Sequence, residues 1–503
     1  MTTTASDTSA QAALVAAFTT RDAMELIETH ISYVLLSGPE VFKIKKAVNL
    51  GFLDFTTLDA RRVYCEREVD LNRRLAPTIY LGVVPITGTP ESPRIGGDGP
   101  AIEYAVQMRR FPQDALLTRV LAAGQLTAAH IDQLADEVAA FHLSTERTGG
   151  EPRYGSASQV LALAVENFTE IEPLLASDAD RHAAAALRAW TESEHASHRH
   201  LFVDRHDAGF VRACHADLHL GNIVLVDGRP TLFDCVEFND AIRWSDVMAD
   251  VGFLTMDLVD RGQPGFASRF LNRYLERTGD YDGLRVLRFY AVYRAMVRAK
   301  VACMRASQID EASRRALAVR ECRQYLRLAR RLTRSIDRGL IVTHGPTASG
   351  KTTATERLIE ALHAVRVRTD VERKRQHQLP ALARTQSAVN AGIYTAADTR
   401  RTYEAVARNV TAILAAGFVA IADGTFLRRR QRDTFAALAR NLGVPFVILR
   451  FVVDPAELAA RVERRRLRGG DASEGDAAVL RAQLESVEPL GADERAYTVT
   501  YEH

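Results

Sequence analysis

One octapeptide limits this chain more than any other feature. Gly345-Pro346-Thr347-Ala348-Ser349-Gly350-Lys351-Thr352 fits the pattern G-x-x-x-x-G-K-[ST] and stands between a short apolar run, Gly339 to Thr343, and a helical stretch from Thr352 to Ala364. Such a loop works only as the turn between a buried strand and a helix, so the residues around it must fold as an α/β layer with a parallel sheet. Its glycines let backbone N–H groups approach a phosphate, and the helix N-terminus adds positive potential. Gly345, Ser349, Gly350, Lys351, Thr352 and Thr353 are the expected contacts of ATP, with Lys351 bridging the β- and γ-phosphates and the Thr352 hydroxyl on Mg²⁺.

The loop alone does not separate a kinase from a motor or a switch, so the residues beyond it must decide. Arg368-Thr369-Asp370-Val371-Glu372-Arg373-Lys374 falls where a second strand would end, which places Asp370 as a proton acceptor for an attacking hydroxyl and Arg373 as a contact of the acceptor. Phe418 to Ala422 is an apolar strand ending in Asp423, suited to a magnesium-bound water; a helix cap is the plainer alternative. A charged helix from Pro455 carries Arg461, Arg464, Arg465 and Arg466, of which one or two would close over the transferring phosphate while the others face solvent, as Arg428-Arg429-Arg430 does. These features, with Asp423-Gly424-Thr425-Phe426, Asp471-Ala472-Ser473-Glu474, Gln483 and Glu488-Pro489, resemble the small P-loop kinases that include gluconate kinase, zeta-toxin-like kinases and polynucleotide 5′-kinases. The resemblance implies that Asp370 is the base and that Arg461 and Arg465 are the phosphate-contacting lid arginines.

The first half follows a different logic. Apolar runs and turn signals read as β-β-α-β-β: Ile31 to Leu36, Val41 to Lys46, a helix from Leu58 to Leu75 ended by Pro77, then Ile79 to Ile86 and Ile102 to Met108. A helical pattern follows from Pro112, interrupted by a strand pair at Phe210 to Ala213 and Ile223 to Phe233. His215-Ala216-Asp217-Leu218-His219-Leu220-Gly221-Asn222 sets Asp217 five residues before Asn222, and Asp234 ends the next strand. That spacing suits one carboxylate taking a hydroxyl proton while an amide and a second carboxylate hold Mg²⁺ on ATP. Lys43, with Lys45 as rival, would pair with a helix glutamate, Glu68 or Glu66, and His215 would brace the loop.

The segment resembles the aminoglycoside phosphotransferase branch of the protein-kinase-like fold, which carries a loop of the form His-Gly-Asp-x-x-x-x-Asn and a lone metal-binding Asp. Ala216 stands where that loop has glycine, and the chain lacks a GxGxxG flap, which argues against protein phosphorylation. Thr29-His30-Ile31-Ser32, Val41 to Lys46 and Gly51 to Phe55 resemble a bacterial subgroup in which such a domain is fused to a P-loop kinase. The resemblance implies an α+β protein-kinase-like two-lobed domain over residues 1–335 (small lobe about 20–110, helical lobe 111–335), then an α/β P-loop kinase domain over 336–503. An aminoglycoside acceptor would need an acidic pocket, for which Asp240, Asp246, Asp250, Asp257 and Asp260 are the candidates, although acids at such spacings also cap helices or pair with arginines.

Charge and composition narrow the partners. The 65 basic and 63 acidic residues leave +2, which is no footprint for DNA or anionic lipid; residues 341–503, with 24 basic and 19 acidic residues, carry +5, which permits a nucleic-acid acceptor without demanding one. Only six of the basic residues are lysine (43, 45, 46, 300, 351 and 374), so a surviving lysine marks a place where a compact ammonium is wanted. The five cysteines form no CxxC pair, and reduced buried thiols are expected. No cation precedes the apolar stretch Ala12 to Phe18, and no run reaches membrane-spanning length, so a cytoplasmic protein is expected. The leading expectation is a bifunctional ATP- and Mg²⁺-dependent phosphotransferase with small-molecule hydroxyl acceptors. Its rivals are a ligand-sensing pseudokinase regulating the P-loop domain and a polynucleotide 5′-kinase in the second half.

Overall fold

The computed structural model describes residues 5–49, 51, 53–148, 154–175, 177–334, 337–383, 385, 392–468 and 475–502, with the side chains of 5–8 and 465–468 outside that description. Phe52, Ile336 and Asp471 to Glu474 therefore lie outside the described residues. Contacts divide the chain into two compact units, Met1–Glu166 with Phe202–Asp257, and Asn167–Leu201 with Leu258–His503. This division does not follow the change of sequence pattern near residue 336.

The first unit opens with α1 (Ala5–Arg21), whose Leu14, Val15 and Phe18 enter the core beside Leu35, Phe42, Ile44, Ile86 and Ala105. Strands β1 (Glu25–Glu28), β2 (Ser32–Ser37) and β3 (Glu40–Lys45) form a meander, and the β2–β3 turn places Gly38 at φ +54, the left-handed first position that a two-residue hairpin loop requires. Helix α2 (Leu58–Arg73) starts where the Thr57 hydroxyl accepts the Ala60 N–H, with Asp59 in its first turn. Strands β4 (Tyr80–Thr89), β5 (Ser92–Ile95) and β6 (Ala101–Arg109) complete an antiparallel sheet in the order β1-β2-β3-β6-β4-β5. Sequence reasoning found the two hairpin strands, α2, β4 and β6, and missed α1, β1 and β5.

Helices α3 (Leu117–Ala122), α4 (Ala128–Ser144), α5 (Ala157–Ile171) and α6 (Asp178–Asp207) follow, then β7 (Val211–Ala213), β8 (Ile223–Val226), β9 (Arg229–Leu232), α7 (Asp240–Arg243) and β10 (Trp244–Asp246). The expected pairing of Phe210–Ala213 with Ile223–Phe233 is corrected. β7 pairs antiparallel with β10, and β8 and β9 form their own hairpin. The cause is the Asp227-Gly228 turn, at φ +51 and +75, which reverses the chain inside the segment read as a single strand, Ile223 to Phe233.

Helices α8 (Val247–Asp260), α9 (Pro264–Thr278), α10 (Leu284–Gln308) and α11 (Ala312–Leu332) lead into the last part of the chain. Cys303 of α10 and Cys322 of α11 form a disulfide, their Cα atoms 5.7 Å apart, which corrects the expectation of five thiols; Cys65, Cys214 and Cys235 are buried and outside any disulfide. The packing of two long helices brings the pair together, and a separation of 19 residues carries no sequence signal.

The remaining chain alternates: β11 (Leu340–His344), α12 (Lys351–Leu362), β12 (Val365–Arg368), α13 (Thr369–Gln376), α14 (Ala396–Ala415), β13 (Ala420–Asp423), α15 (Arg429–Asn441), β14 (Phe446–Val452), α16 (Pro455–Arg468), α17 (Ala477–Ser486), α18 (Ala492–Arg495) and β15 (Thr498–Glu502). The five strands are all parallel, in the order β12-β13-β11-β14-β15. The chain leaves central β11 for β12 on one side, while β14 lies on the other. The loop after β11 therefore opens at the point where strand order reverses, the usual place for a ligand in such a sheet.

Candidate active sites

In the first unit, alternation along β3 puts Lys43 and Lys45 on one face. Both reach Glu68 of α2, at 2.8 Å (Lys43 Nζ to Oε1) and 2.7 Å (Lys45 Nζ to Oε2). Glu66 is exposed, so the helix partner is Glu68. The lysines then diverge. Lys43 Nζ also contacts Asp234 Oδ1 at 2.6 Å and is 13% exposed along its side chain, whereas Lys45 is fully enclosed between Glu68 and Glu237. Burial alone would lower the pKa of Lys43, but Asp234 and Glu68 hold it well above the ordinary lysine value. Burial would raise Glu68, but the two ammonium groups bring it down to about 2. Glu237 is raised, because its burial outweighs the attraction of Lys45. Glu237 was not singled out from the sequence; its only signal is an acid three residues after Asp234.

The loop between β7 and β8 carries the second set of groups. The Asn222 amide donates to the Asp217 backbone carbonyl at 3.0 Å and to Asp217 Oδ2 at 2.8 Å, which leaves the amide oxygen of Asn222 for another partner. His219 Nε2 lies 3.5 Å from the same carboxylate oxygen. His215 is buried and its pKa is lowered by that burial; its Nε2 bonds the Phe233 carbonyl at 2.9 Å, so it braces the loop as expected. Asp234 sits at φ +64 and its N–H donates to the Tyr80 hydroxyl, which aims the carboxylate at Lys43.

Asp250 holds this loop from below, accepting the N–H groups of His215 at 2.8 Å and Ala216 at 2.9 Å. Ala216 has φ +70, a conformation that favours the glycine of the resembled family. The other acids that were candidates for an acidic pocket are also committed to structure. Asp240 pairs with Arg67 and Arg243, Asp246 with Arg205, Asp257 accepts the Leu220 N–H, and Asp260 accepts from Gln324. His142, Cys214 and Asp250 lie close enough to share a cation, but Asp250 already serves two backbone N–H groups and Cys214 bonds the Ser245 carbonyl.

In the second unit the octapeptide wraps the N-terminus of α12. Gly350 adopts φ +88, and a Cβ on Gly345 would meet Ser349 Oγ at 2.9 Å and the Phe451 carbonyl at 3.2 Å, so the loop closes only with glycine at both ends. Lys351 Nζ is held by the carbonyls of Gly345 (3.0 Å) and Pro346 (2.6 Å) and by Ser349 Oγ (3.3 Å). Thr352 Oγ1 is 3.3 Å from Asp423 Oδ2, whose other oxygen accepts from Thr343 at 3.4 Å. Thr353 is exposed on the next position of α12. Arg368 and Asp423 are register partners of adjacent strands, so Asp370, half-buried in the first turn of α13, lies beyond the same sheet edge as Asp423.

Helices α16 and α17 cover the loop. Leu458, Val462 and Leu480 pack on Ala348, and Gln483 Oε1 accepts the Thr347 N–H at 2.7 Å. Arg461 and Arg464 both bind Glu457, each at 2.8 Å, while the side chain of Arg465 lies outside the described residues. Arg373 is buried, donating to the Ile393 carbonyl at 3.1 Å with its guanidinium 4.8 Å from the Tyr394 ring.

The donor sets fit the groups that the motifs imply. A glycine-bounded loop at a helix N-terminus, with a buried lysine inside it, matches a triphosphate. The Thr352 hydroxyl with the Asp423 carboxylate, and the free amide oxygen of Asn222 with the Asp234 carboxylate, are oxygen donors of the kind that hold Mg²⁺.

Fold and sites define an enzyme of the kinase type, a phosphotransferase with hydroxyl acceptors, in which a protein-kinase-like domain precedes a P-loop kinase-like domain. Residues 62–290 match the model of the phosphotransferase enzyme family, and residues 340–490 match that of an AAA domain. The uncharacterized protein Rv2004c of Mycobacterium tuberculosis is 30% identical over 92% of this chain and 90% of its own length, and the uncharacterized protein Mb2027c of Mycobacterium bovis matches equally. The chain belongs to the family of these mycobacterial proteins. Among solved structures it is similar to a gluconokinase from Sinorhizobium meliloti (22% identity, 33% of this chain, 82% of that one, TM-score 0.23). It is similar also to the ADP-bound aminoglycoside phosphotransferase APH(2'')-Ib (12% identity, 64% and 98%, TM-score 0.35). No described helix is long and apolar enough to cross a membrane.

Proposed function

We propose that the chain is a bifunctional ATP-dependent phosphotransferase, each domain transferring the γ-phosphoryl group to a hydroxyl of a small molecule. The observation that carries this reading is the presence of two separate sets of groups in two compact units: Lys43, Glu68, Asp217, Asn222 and Asp234 in one, and the 345–352 loop with Asp423 and Asp370 in the other. When bound, ATP supplies the phosphoryl group and Mg²⁺ neutralises charge on its oxygens.

In the first unit Asp217 takes the proton of the acceptor hydroxyl while Asn222 fixes the orientation of its carboxylate. Lys43, held by Glu68, presents an ammonium to the α- and β-phosphates, and Asn222 and Asp234 hold the metal. In the second unit the 345–352 backbone and Lys351 bind the phosphates, Thr352 and Asp423 hold the metal, and Asp370 is the base. Arg461 or Arg465 meets the transferring group. We assign Arg373, fixed beneath Tyr394, to bracing this wall in place of the acceptor contact expected from sequence.

The test is incubation of the full chain, Asp217→Ala and Lys351→Ala with labelled ATP and a fractionated cell extract. Two products are expected, one missing from each variant. If Asp217→Ala kept every product while ligands of the first domain still changed the second activity, a sensing pseudokinase would replace this account. A product labelled on the 5′ ends of oligonucleotides and lost in Lys351→Ala would make the second domain a polynucleotide kinase.

A further inference from the structure

Arginine at position 366 occupies an odd place, the middle of a buried strand. It lies on β12 with its side chain 5% exposed, and its Nη2 bonds Glu276 Oε1 at 3.0 Å. Its Nη1 turns the other way, donating to the Thr352 carbonyl at 3.1 Å and to Thr355 Oγ1 at 2.9 Å, and lies 4.0 Å from Asp423 Oδ2. One guanidinium thus spans from α9 to both residues assigned to the metal of the P-loop site. The helix is also tied to the strand backbone. Asn272, one turn before Glu276 on α9, accepts the Arg366 N–H at 2.7 Å and donates to the Ala364 carbonyl at 2.8 Å, pairing with the free edge of β12 as a neighbouring strand would.

We propose that Glu276 and Arg366 are positioning residues of the P-loop site, so that α9, which lies within the 62–290 phosphotransferase match, sets where Thr352 and Asp423 present their oxygens to Mg²⁺. A guanidinium that holds the Thr352 carbonyl and lies beside Asp423 keeps those two residues in place only if it is itself held. Glu276 supplies that hold. The P-loop domain then extends, in function, to a helix that begins more than seventy residues before its first strand.

The proposal rests on the nucleotide reading of the 345–352 loop, and the experiment separates the two. Equilibrium binding of ATP to the full chain is measured with Mg²⁺ and with EDTA, and the part lost in Lys351→Ala is taken as the P-loop site. Glu276→Gln is expected to weaken Lys351-dependent Mg·ATP binding roughly tenfold while changing Lys351-dependent binding in EDTA less than about twofold. Equal weakening in both conditions would reduce the pair to a structural role and overturn the proposal, as would no change in either. Because a lone buried Arg366 could unfold the domain, Glu276→Leu with Arg366→Met removes both charges at once; it should fold and show the same magnesium-selective loss, and wild-type Mg·ATP binding by it would overturn the proposal. If Lys351→Ala bound as much ATP as wild type, the nucleotide reading would fail and the proposal with it.

Discussion

Lys43 and Asp234 lie 191 residues apart in sequence and 2.6 Å apart in the fold. The contact joins a strand of the small sheet to the second residue after the β8–β9 hairpin, and Glu68 anchors the same lysine. One ammonium therefore holds the groups proposed for phosphate and metal in a single constellation.

Lys43→Met should separate phosphate binding from fold. Glu68 keeps Lys45 as a partner at 2.7 Å, so it is not left alone, but Asp234 loses its cation. We expect phosphorylation by the first domain to fall by about 10² or more, with the thermal midpoint dropping by a few degrees. Lys45→Met, which removes the cation that the buried Glu68 and Glu237 share, should cost far more stability. Calorimetric melts of both variants check the order, and the reverse order would exchange the roles of the two lysines.

Asp217→Asn keeps the size of the side chain and the contact with Asn222 but removes the proton acceptor. Turnover at the first site should fall by roughly 10² to 10⁴ with little change in ATP affinity, and turnover at the second should stay at the wild-type rate. Initial rates with the acceptors identified above measure both, and a parallel loss at both sites would contradict independent chemistry.

Asp370→Asn should leave nucleotide binding intact and depress transfer at the second site by roughly 10² or more, since Asp370 lies off the phosphate loop, in the first turn of α13. Single-turnover rates at saturating ATP are the measurement. A variant with weakened ATP binding and an unchanged maximal rate would make Asp370 a binding residue.

Acid should destabilise the second unit through a buried histidine. His344 is 6% exposed and its pKa is lowered to about 4, chiefly by burial, with Nδ1–H donating to the Phe426 carbonyl. The unfolded chain, with histidine near 6.5, binds more protons in that interval. Stability is therefore full above about pH 6.5 and declines as pH falls toward 4, by on the order of 3 kcal/mol from this residue. His344→Gln, which keeps a donor and cannot titrate, should flatten the dependence of the urea midpoint between those limits. A wild-type slope that persisted in the variant would place the titration elsewhere.

Local patterns determined much of this protein. The 345–352 octapeptide needs a strand before it and a helix after it, and β11 and α12 follow. Alternation along β3 put Lys43 and Lys45 on one side, and the Asp217 to Asn222 spacing is a loop property that survives any packing. Contacts over long sequence separations were settled only in three dimensions. Nothing local distinguishes Glu68 from Glu66, or the exposed end of Lys43 from the enclosed Lys45, because each pair differs only in which face meets the rest of the unit. The commitment of Asp250 to two backbone N–H groups, the Cys303–Cys322 bridge and the reach of Glu276 to Arg366 depend on helices brought together by burial of apolar area, a force that carries no address for the polar groups it carries along.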